Sequence, residues 1–184
     1  TTGFTFVGKS AEEIRDICLA AGLSGIEAAP PLLDRLTDAE VEAYRRTFED
    51  AGLKLTTFHL PFTAADDIAS FYNTQREAAV ATIDYWMRKA ALVGSTIGIQ
   101  HPTTTGYDVA KEGLERYLGH ISKSLEVLLP TAESLGFTIA IENMLPRDGG
   151  RFCSDPYHFR QILERFDHPS LGFCLDTGHA LCAL

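Results

Sequence analysis

The sequence predicts an α/β fold in which parallel strands are joined by helical crossovers. Short apolar runs alternate with amphipathic helical stretches six times, and four of those stretches end in a glycine that precedes the next strand. No linker, low-complexity tract or charge run divides the 184 residues. Strict alternation of this kind is typical of a parallel sheet covered by helices. We therefore expect a single domain over residues 1–184.

The first half of the chain is expected to supply four strands and three helices. Ser10 and Thr37 each precede a glutamate by three residues, which is the capping box that opens a helix. A longer helix is expected over about Phe71–Val93. The expected strands are Phe4–Val7, Gly25–Ala29, Lys54–His59 and Thr96–His101.

The second half is expected to supply two more strands. A leucine-rich helix precedes Gly136, and Pro130 within it is expected to kink or restart the helix. Asp155-Pro156 is a good N-cap with proline at the first helical position. A last helix is expected to begin within His179–Leu184. The strands of this half are Phe137–Met144 and Leu171–Leu175.

Two architectures fit this pattern, a doubly wound open sheet and a (β/α)8 TIM barrel. No glycine-rich phosphate motif follows the first strand, which disfavours the nucleotide-binding open sheet. Polar residues end several strands, as at the mouth of a barrel. A complete barrel has eight strands and about 250 residues, whereas six strands are predicted here. We therefore expect a TIM barrel truncated after the sixth strand, β1-α1 through β6.

Composition limits the possible partners and the compartment. A formal net charge of −9 disfavours a nucleic-acid partner, because DNA binding needs a cationic surface. No apolar run approaches the roughly 20 residues that span a bilayer, and the start lacks a basic signal-peptide region. The four cysteines form no C-x-x-C pair. We read them as reduced thiols and expect a cytoplasmic protein.

Metal-ligand side chains stand at the ends of four predicted strands. They are His59, His101, Glu142 and Asp176, and His179 follows three residues after the last of them. A lone histidine at a strand end is more often a structural residue, but five such groups at one edge of a sheet predict a metal site. Imidazole and carboxylate together suit a divalent metal ion, with Mn, Zn, Co, Mg and Fe left open.

Four strand-end segments resemble the motifs of the xylose isomerase-like TIM barrel superfamily. These segments are His59–Phe62, Gln100–Pro102, Ile141–Met144 and Gly172–Ala180, and the resemblance covers nearly the whole chain. The superfamily includes sugar and sugar-phosphate isomerases and epimerases and the endonuclease IV type of abasic-site nuclease. The motifs are specific for the superfamily and poorly specific for one activity.

The resemblance implies roles for individual residues. Glu142 and Asp176 would be metal ligands, and Glu142 would also transfer the proton. His179 would bind substrate and take part in catalysis in an epimerase, or hold a further metal in a nuclease. His59 and His101 match nuclease metal ligands and pocket residues of isomerases. The superfamily's later metal-binding histidine and second glutamate are expected beyond this chain.

Three further residues are candidates for substrate contact. Asn143 stands beside Glu142, and Glu27 ends its strand where it can meet a sugar hydroxyl. Arg147, in a glycine-rich loop, can hold a phosphate or carboxylate of the substrate. A solvated loop position is the alternative for both Glu27 and Arg147. Phe62 is expected in a mouth loop, where it can form an apolar wall.

Three functions remain open at this stage. The leading hypothesis is a metal-dependent isomerase or epimerase of a small sugar or sugar derivative, in which a proton moves next to a carbonyl through an enediolate. The second is an endonuclease IV-like phosphodiesterase of abasic DNA, which the acidic composition disfavours. The third is a non-catalytic barrel fragment whose open sheet edge a partner chain covers. A homo-oligomer is left open.

Overall fold

The computed structural model describes residues 1–182, which contain five parallel β-strands. The strands pair in chain order, β1-β2-β3-β4-β5. This sequential order is that of a barrel wall and differs from the 3-2-1-4-5 order of the doubly wound sheet. The predicted mixed α/β architecture is therefore confirmed. The strands are β1 (Gly25–Ala28), β2 (Lys54–His59), β3 (Ile97–Gln100), β4 (Thr138–Glu142) and β5 (Leu171–Cys174).

Helices follow every strand of the described chain, and one precedes β1. Two of the short ones, directly after β1 and before the leucine-rich helix, were not expected from the sequence. The helices are α1 (Ala11–Ala20), α2 (Pro30–Leu33), α3 (Asp38–Glu49), α4 (Asn73–Leu92), α5 (Val109–Glu112), α6 (Leu114–Ser134), α7 (Pro156–Arg165) and α8 (Thr177–Leu181).

The predicted helix caps are confirmed. Ser10 caps α1 by accepting a hydrogen bond from the backbone N–H of Glu13, whose side chain accepts in return from the backbone N–H of Ser10. Thr37 and Glu40 make the same pair of bonds at the start of α3. Each pair satisfies two N–H groups that a helix start leaves without partners. The chain therefore enters these helices at the predicted residues.

The predicted first strand, Phe4–Val7, is wrong. Residues Gly3–Phe6 form a single 3-10 helix, and only Thr2 makes an isolated parallel bridge, to Glu27 of β1. A Cβ on Gly3 would lie 2.8 Å from the carbonyl oxygen of Glu27. Only glycine fits this close approach to β1, at the point where the chain turns into the 3-10 helix. The sheet of the described residues therefore has five strands rather than six.

Smaller differences concern Pro130 and the strand ends. Pro130 lies inside α6, which continues through it from Leu114 to Ser134, so the helix does not restart there. The strand at the end of the chain stops at Cys174, one residue earlier than expected. The last helix, α8, begins at Thr177. The final two residues of the predicted helix lie outside the described part of the chain.

A single apolar core joins the sheet to the helices, and it includes Phe58, Leu118 and Ile139. Gly98 in β3 allows close packing within this core. A Cβ there would lie 2.6 Å from the ring of Phe137 and 2.8 Å from Leu60, and both side chains are fully buried. Within residues 1–182, no helix has the length and apolar character to cross a membrane.

We predict opposite effects on stability for two glycine-to-alanine changes. Gly98→Ala should lower the free energy of unfolding by about 1–3 kcal/mol, since the new methyl group overpacks the core. Gly119→Ala in α6 should raise it by about 0.5–1 kcal/mol, because a Cβ there meets no atom within 4 Å and alanine favours the helix. Urea denaturation of both variants measures this. Equal effects of the two changes would contradict the close packing at Gly98.

Candidate metal and substrate site

Five predicted side chains meet at the carboxyl edge of the sheet. His59 and Glu142 are the last residues of β2 and β4, and His101 follows β3 directly. Asp176 follows β5 by two residues and His179 lies in α8. Because parallel strands end at the same edge, residues far apart in the chain come within reach of one another.

The Glu142 carboxylate lies between two imidazoles. Its Oε2 atom is 2.9 Å from Nε2 of His101 and 3.9 Å from Nε2 of His59. Glu142 is only 6% exposed, and Oε2 is buried without an aligned hydrogen bond. An ionised oxygen in that state is costly unless a cation satisfies it. These three side chains offer ligand atoms within 4.8 Å of one another.

A second donor group shares the same carboxylate. Glu142, Asp176 and His179 also bring ligand atoms within 4.8 Å of one another. The pKa of Asp176 is lowered, mainly because its carboxylate accepts a hydrogen bond of 2.8 Å from the backbone N–H of His179. Asp176 is therefore held as a carboxylate anion, which is the form that binds a cation.

Two histidines are held with one ring nitrogen free. Nδ1 of His59 lies 2.9 Å from the carbonyl oxygen of Leu60, and Nδ1 of His179 lies 2.8 Å from that of Asn143. A carbonyl can only accept, so each ring carries its proton on Nδ1. In the neutral ring, Nε2 then has a free lone pair, which is how metal-binding histidines are commonly fixed.

Asn143 connects the ends of β4 and β5. Its side-chain Oδ1 accepts from the backbone N–H of Asp176 at 2.6 Å, and its Nδ2 donates to the carbonyl of Asp176 at 2.9 Å. Its own carbonyl accepts from His179, as described above. The side-chain amide therefore faces the backbone of Asp176. This geometry supports a positioning role for Asn143, and its contact with substrate stays a prediction.

An open cavity of about 520 Å³ lies beside these groups. Predicted residues His59, Glu142, Asp176 and Glu27 line it, and so does Phe62. His101 and His179 are not among its lining residues; His179 borders a neighbouring apolar cavity of about 720 Å³ beside β5 and α7. The remaining lining residues are Thr2, Phe4, Ile99, Cys174, Leu175 and Thr177.

Cys174 is a cavity residue that the sequence reasoning missed. It was read as one of four reduced thiols, whereas the strand register places it directly beside Glu142. Burial raises the pKa of the Cys174 thiol to about 11, and the charges of Glu142, Glu27 and Asp176 add to this effect. Its position at the end of β5, two residues before Asp176, was the available signal.

Phe4 was also missed, because it was assigned to a strand. The 3-10 helix turns its ring against His59 and Phe62, with ring centroids 5.6 Å and 5.5 Å apart. Phe62 also contacts His101, at 4.8 Å between centroids. Phe4 and Phe62 together form an aromatic wall over the imidazoles.

Arg147 does not lie in the cavity. Its Nη2 atom is 3.1 Å from Oδ1 of Asp108 and also donates to the carbonyl of Tyr107. The guanidinium therefore ties the loop after β4 to the loop after β3. The prediction that it holds an anionic group of the substrate has no support in its position.

Comparison with known proteins points to one family. The family profile described as xylose isomerase-like TIM barrel matches residues 15–183. No curated protein matches the sequence.

Solved structures share the fold. A D-psicose 3-epimerase determined in the presence of D-fructose has a TM-score of 0.79 at 17% identity over 94% of this chain. The E. coli 3-keto-D-glucoside 4-epimerase YcjR, in its apo form, has a TM-score of 0.78 at 18% identity over 97% of the chain. The TTHB071 protein of Thermus thermophilus, soaked with ZnCl2, has a TM-score of 0.72 at 29% identity over 92%. The chain spans 60%, 68% and 64% of these proteins, respectively.

We predict that Asn143→Leu weakens metal binding more than it weakens the fold. Loss of both side-chain hydrogen bonds should lower the affinity for Mn²⁺ or Zn²⁺ by about 10- to 100-fold, as for other residues that orient ligands. Ser124→Ala is the control, because it removes a buried hydrogen bond from α6 to the Ile68 carbonyl. Equilibrium dialysis and urea denaturation of both variants separate the effects. Equal metal affinity of Asn143→Leu and wild type would contradict the positioning role.

We predict that Cys174 resists alkylation in the metal-free protein. With its pKa raised to about 11, only about one thiol in a thousand is ionised at about pH 8. Iodoacetamide should therefore label exposed Cys182 first, and labelling of Cys174 should rise as the pH approaches the thiol's raised pKa. Glu142→Gln should speed the labelling of Cys174, because it removes one neighbouring charge. Mass spectrometry of the labelled peptides measures both rates; similar rates for the two cysteines near neutral pH would show that the Cys174 thiol is ordinary.

Proposed function

The chain belongs to the xylose isomerase-like TIM barrel family, and we propose that it carries the site of a metal-dependent isomerase or epimerase. The proposed substrate is a small keto sugar or sugar derivative. The sugar epimerases among its structural neighbours support this choice. A shared fold does not determine activity, so the chemistry is inferred from the residues of the site.

The buried Glu142 carboxylate is the observation that carries the proposal. It belongs to both donor groups, and its Oε2 atom has no aligned hydrogen bond. One carboxylate oxygen, a second carboxylate and imidazole nitrogens are a donor set that suits a divalent first-row metal. Glu142, Asp176 and His179 would hold the ion, and His59 and His101 form the second donor group with Glu142.

Proton transfer beside a carbonyl is the chemistry that this arrangement favours. When bound, a divalent cation supplies Lewis acidity that stabilises negative charge on the substrate oxygens. Glu142 would accept the proton from the carbon next to the carbonyl and return it at a neighbouring carbon or on the same one. Glu142 is buried and lines the cavity, so its carboxylate can reach a ligand held there.

The hydrogen bond of His179 limits what its ring can do. With Nδ1–H given to the Asn143 carbonyl, neutral His179 offers a lone pair at Nε2. It can therefore bind a cation or accept from a substrate hydroxyl, and it can donate to a negative oxygen only as imidazolium. The carboxylate of Asp176 lies close to this ring, with its Oδ2 atom 3.9 Å from Nδ1.

A phosphodiesterase of abasic DNA is the second candidate, favoured by the group of His59, His101 and Glu142. Two donor groups that share one carboxylate suit two cations, and two-metal sites are common in phosphate-ester hydrolysis. The net charge of −9 argues against it, as does a cavity without lysine or arginine among its described lining residues. Cytoplasmic location and a homo-oligomer remain predictions.

We predict that Glu142→Gln slows proton transfer and weakens metal binding. Solvent deuterium should enter a ketose recovered from incubation with the intact wild-type protein and Mn²⁺, with D-fructose and D-tagatose as the first probes. In Glu142→Gln the exchange rate should fall by about 10²- to 10⁴-fold, the range of general acid–base contributions. Mass spectrometry of the sugar measures the exchange. Glu126→Gln, which changes an exposed residue of α6, is the matched control.

Two outcomes would contradict the proposal. Unchanged metal content and exchange in Glu142→Gln would remove Glu142 from the site. Cleavage of an oligonucleotide with an abasic site, with two metal ions bound per chain and no exchange into any ketose, would establish the second candidate instead. Absence of metal binding and of both reactions would favour the non-catalytic hypothesis.

A further inference from the structure

We propose that the cavity selects uncharged carbohydrates and rejects sugar phosphates. This inference rests on the proposed function and narrows its substrate class. Three carboxylates, those of Glu27, Glu142 and Asp176, line the cavity. No lysine or arginine occurs among its described lining residues. The wall that this chain provides is therefore acidic.

A bound metal ion does not reverse the sign of that wall. One divalent cation carries two positive charges, whereas the three carboxylates carry three negative ones. A phosphate monoester adds about 1.5 to 2 negative charges at neutral pH. Like charges in a partly buried cavity repel more strongly than in water, because the surroundings screen them less. A free ketose carries no charge and meets no such penalty.

Arg147, the predicted anion-binding residue, already has partners outside the cavity. Arg147 forms an ion pair with Asp108 and donates to the carbonyl of Tyr107. To reach a phosphate it would have to break both contacts and leave Asp108 without its partner. Arg147 therefore joins the loop after β4 to the loop after β3.

The aromatic wall of Phe4 and Phe62 favours a neutral ligand as well. The two ring centroids are 5.5 Å apart, and Phe62 is 40% exposed. Such a surface can cover the C–H face of a sugar. It offers no N–H donor to a phosphate, whose oxygens need charge-assisted hydrogen bonds to offset the loss of water. Shape and charge of this wall thus point to the same class of substrate.

A matched pair of ligands tests the inference by binding, independently of turnover. Metal-loaded intact protein, freed of excess Mn²⁺, is titrated calorimetrically with D-fructose and with D-fructose 6-phosphate. We expect the dissociation constant of the phosphate ester to be at least about tenfold higher, a difference of about 1.4 kcal/mol. Glu27→Gln should narrow this ratio by about threefold or more, since it removes one repelling charge. Glu126→Gln, with the same charge change on exposed α6, should leave the ratio unchanged.

The outcomes separate this inference from the proposed function. The charge argument is overturned if D-fructose 6-phosphate binds as tightly as D-fructose, or if the ratio of the two dissociation constants is unchanged in Glu27→Gln. Exchange of solvent deuterium into a ketose would still support the isomerase in either case. Absence of binding and exchange for every neutral ketose tested overturns the proposed function and this inference together. The role of the aromatic wall is supported if the preference for D-fructose over its phosphate ester weakens in Phe62→Ala. Tyr85→Ala, at an exposed position of α4, is the control and should leave this preference unchanged.

Discussion

Burial of the Glu142 carboxylate is the constraint on which the rest of the site depends. The strand that carries it is almost entirely buried, and the carboxylate lies where that strand ends. A negative charge removed from water is costly unless other groups compensate. No arginine or lysine among the described residues pairs with Glu142; its titratable neighbours are the imidazoles of His59, His101 and His179 and the carboxylate of Asp176. A cation bound between these side chains would supply that compensation.

The connection between β4 and β5 explains how the second donor group is assembled. The side-chain amide of Asn143 bonds both the backbone N–H and the backbone carbonyl of Asp176, and the backbone carbonyl of Asn143 accepts from the ring of His179. Asp176 in turn caps α8 with the N–H of His179. The same hydrogen bonds set the spacing of the strands, the start of the helix and the tautomer of the histidine. The cap of α8 and the second donor group therefore belong to one hydrogen-bond network, so a substitution in one of them should alter the geometry of the other.

The strand ends and helix caps could be predicted from the sequence because they depend on local chemistry. Capping boxes and apolar periodicity act over a few residues, and the carboxyl edge of a parallel sheet collects whatever ends each strand. Contacts between distant segments left no such signal. The apolar run Phe4–Val7 resembles a short strand, but residues Gly3–Phe6 form a 3-10 helix that packs against the end of β1. Likewise, the ion pair of Arg147 with Asp108 depends on how two loops meet, which neither loop reveals alone.

The two candidate activities place different demands on the same ligands, and charge distinguishes them. Sharing of Glu142 between two donor groups suits one cation or two, so the ligand geometry alone favours neither reaction. A phosphodiester is anionic along its whole length, and its binding needs cationic side chains beyond the metal. The carboxylates of Glu27 and Asp176 instead add negative charge to the cavity wall. Hydroxyl groups of a neutral sugar can donate to those carboxylates, whereas phosphate oxygens can only accept. The acidic wall therefore favours the polyol as ligand for the same reason that it disfavours the phosphodiester.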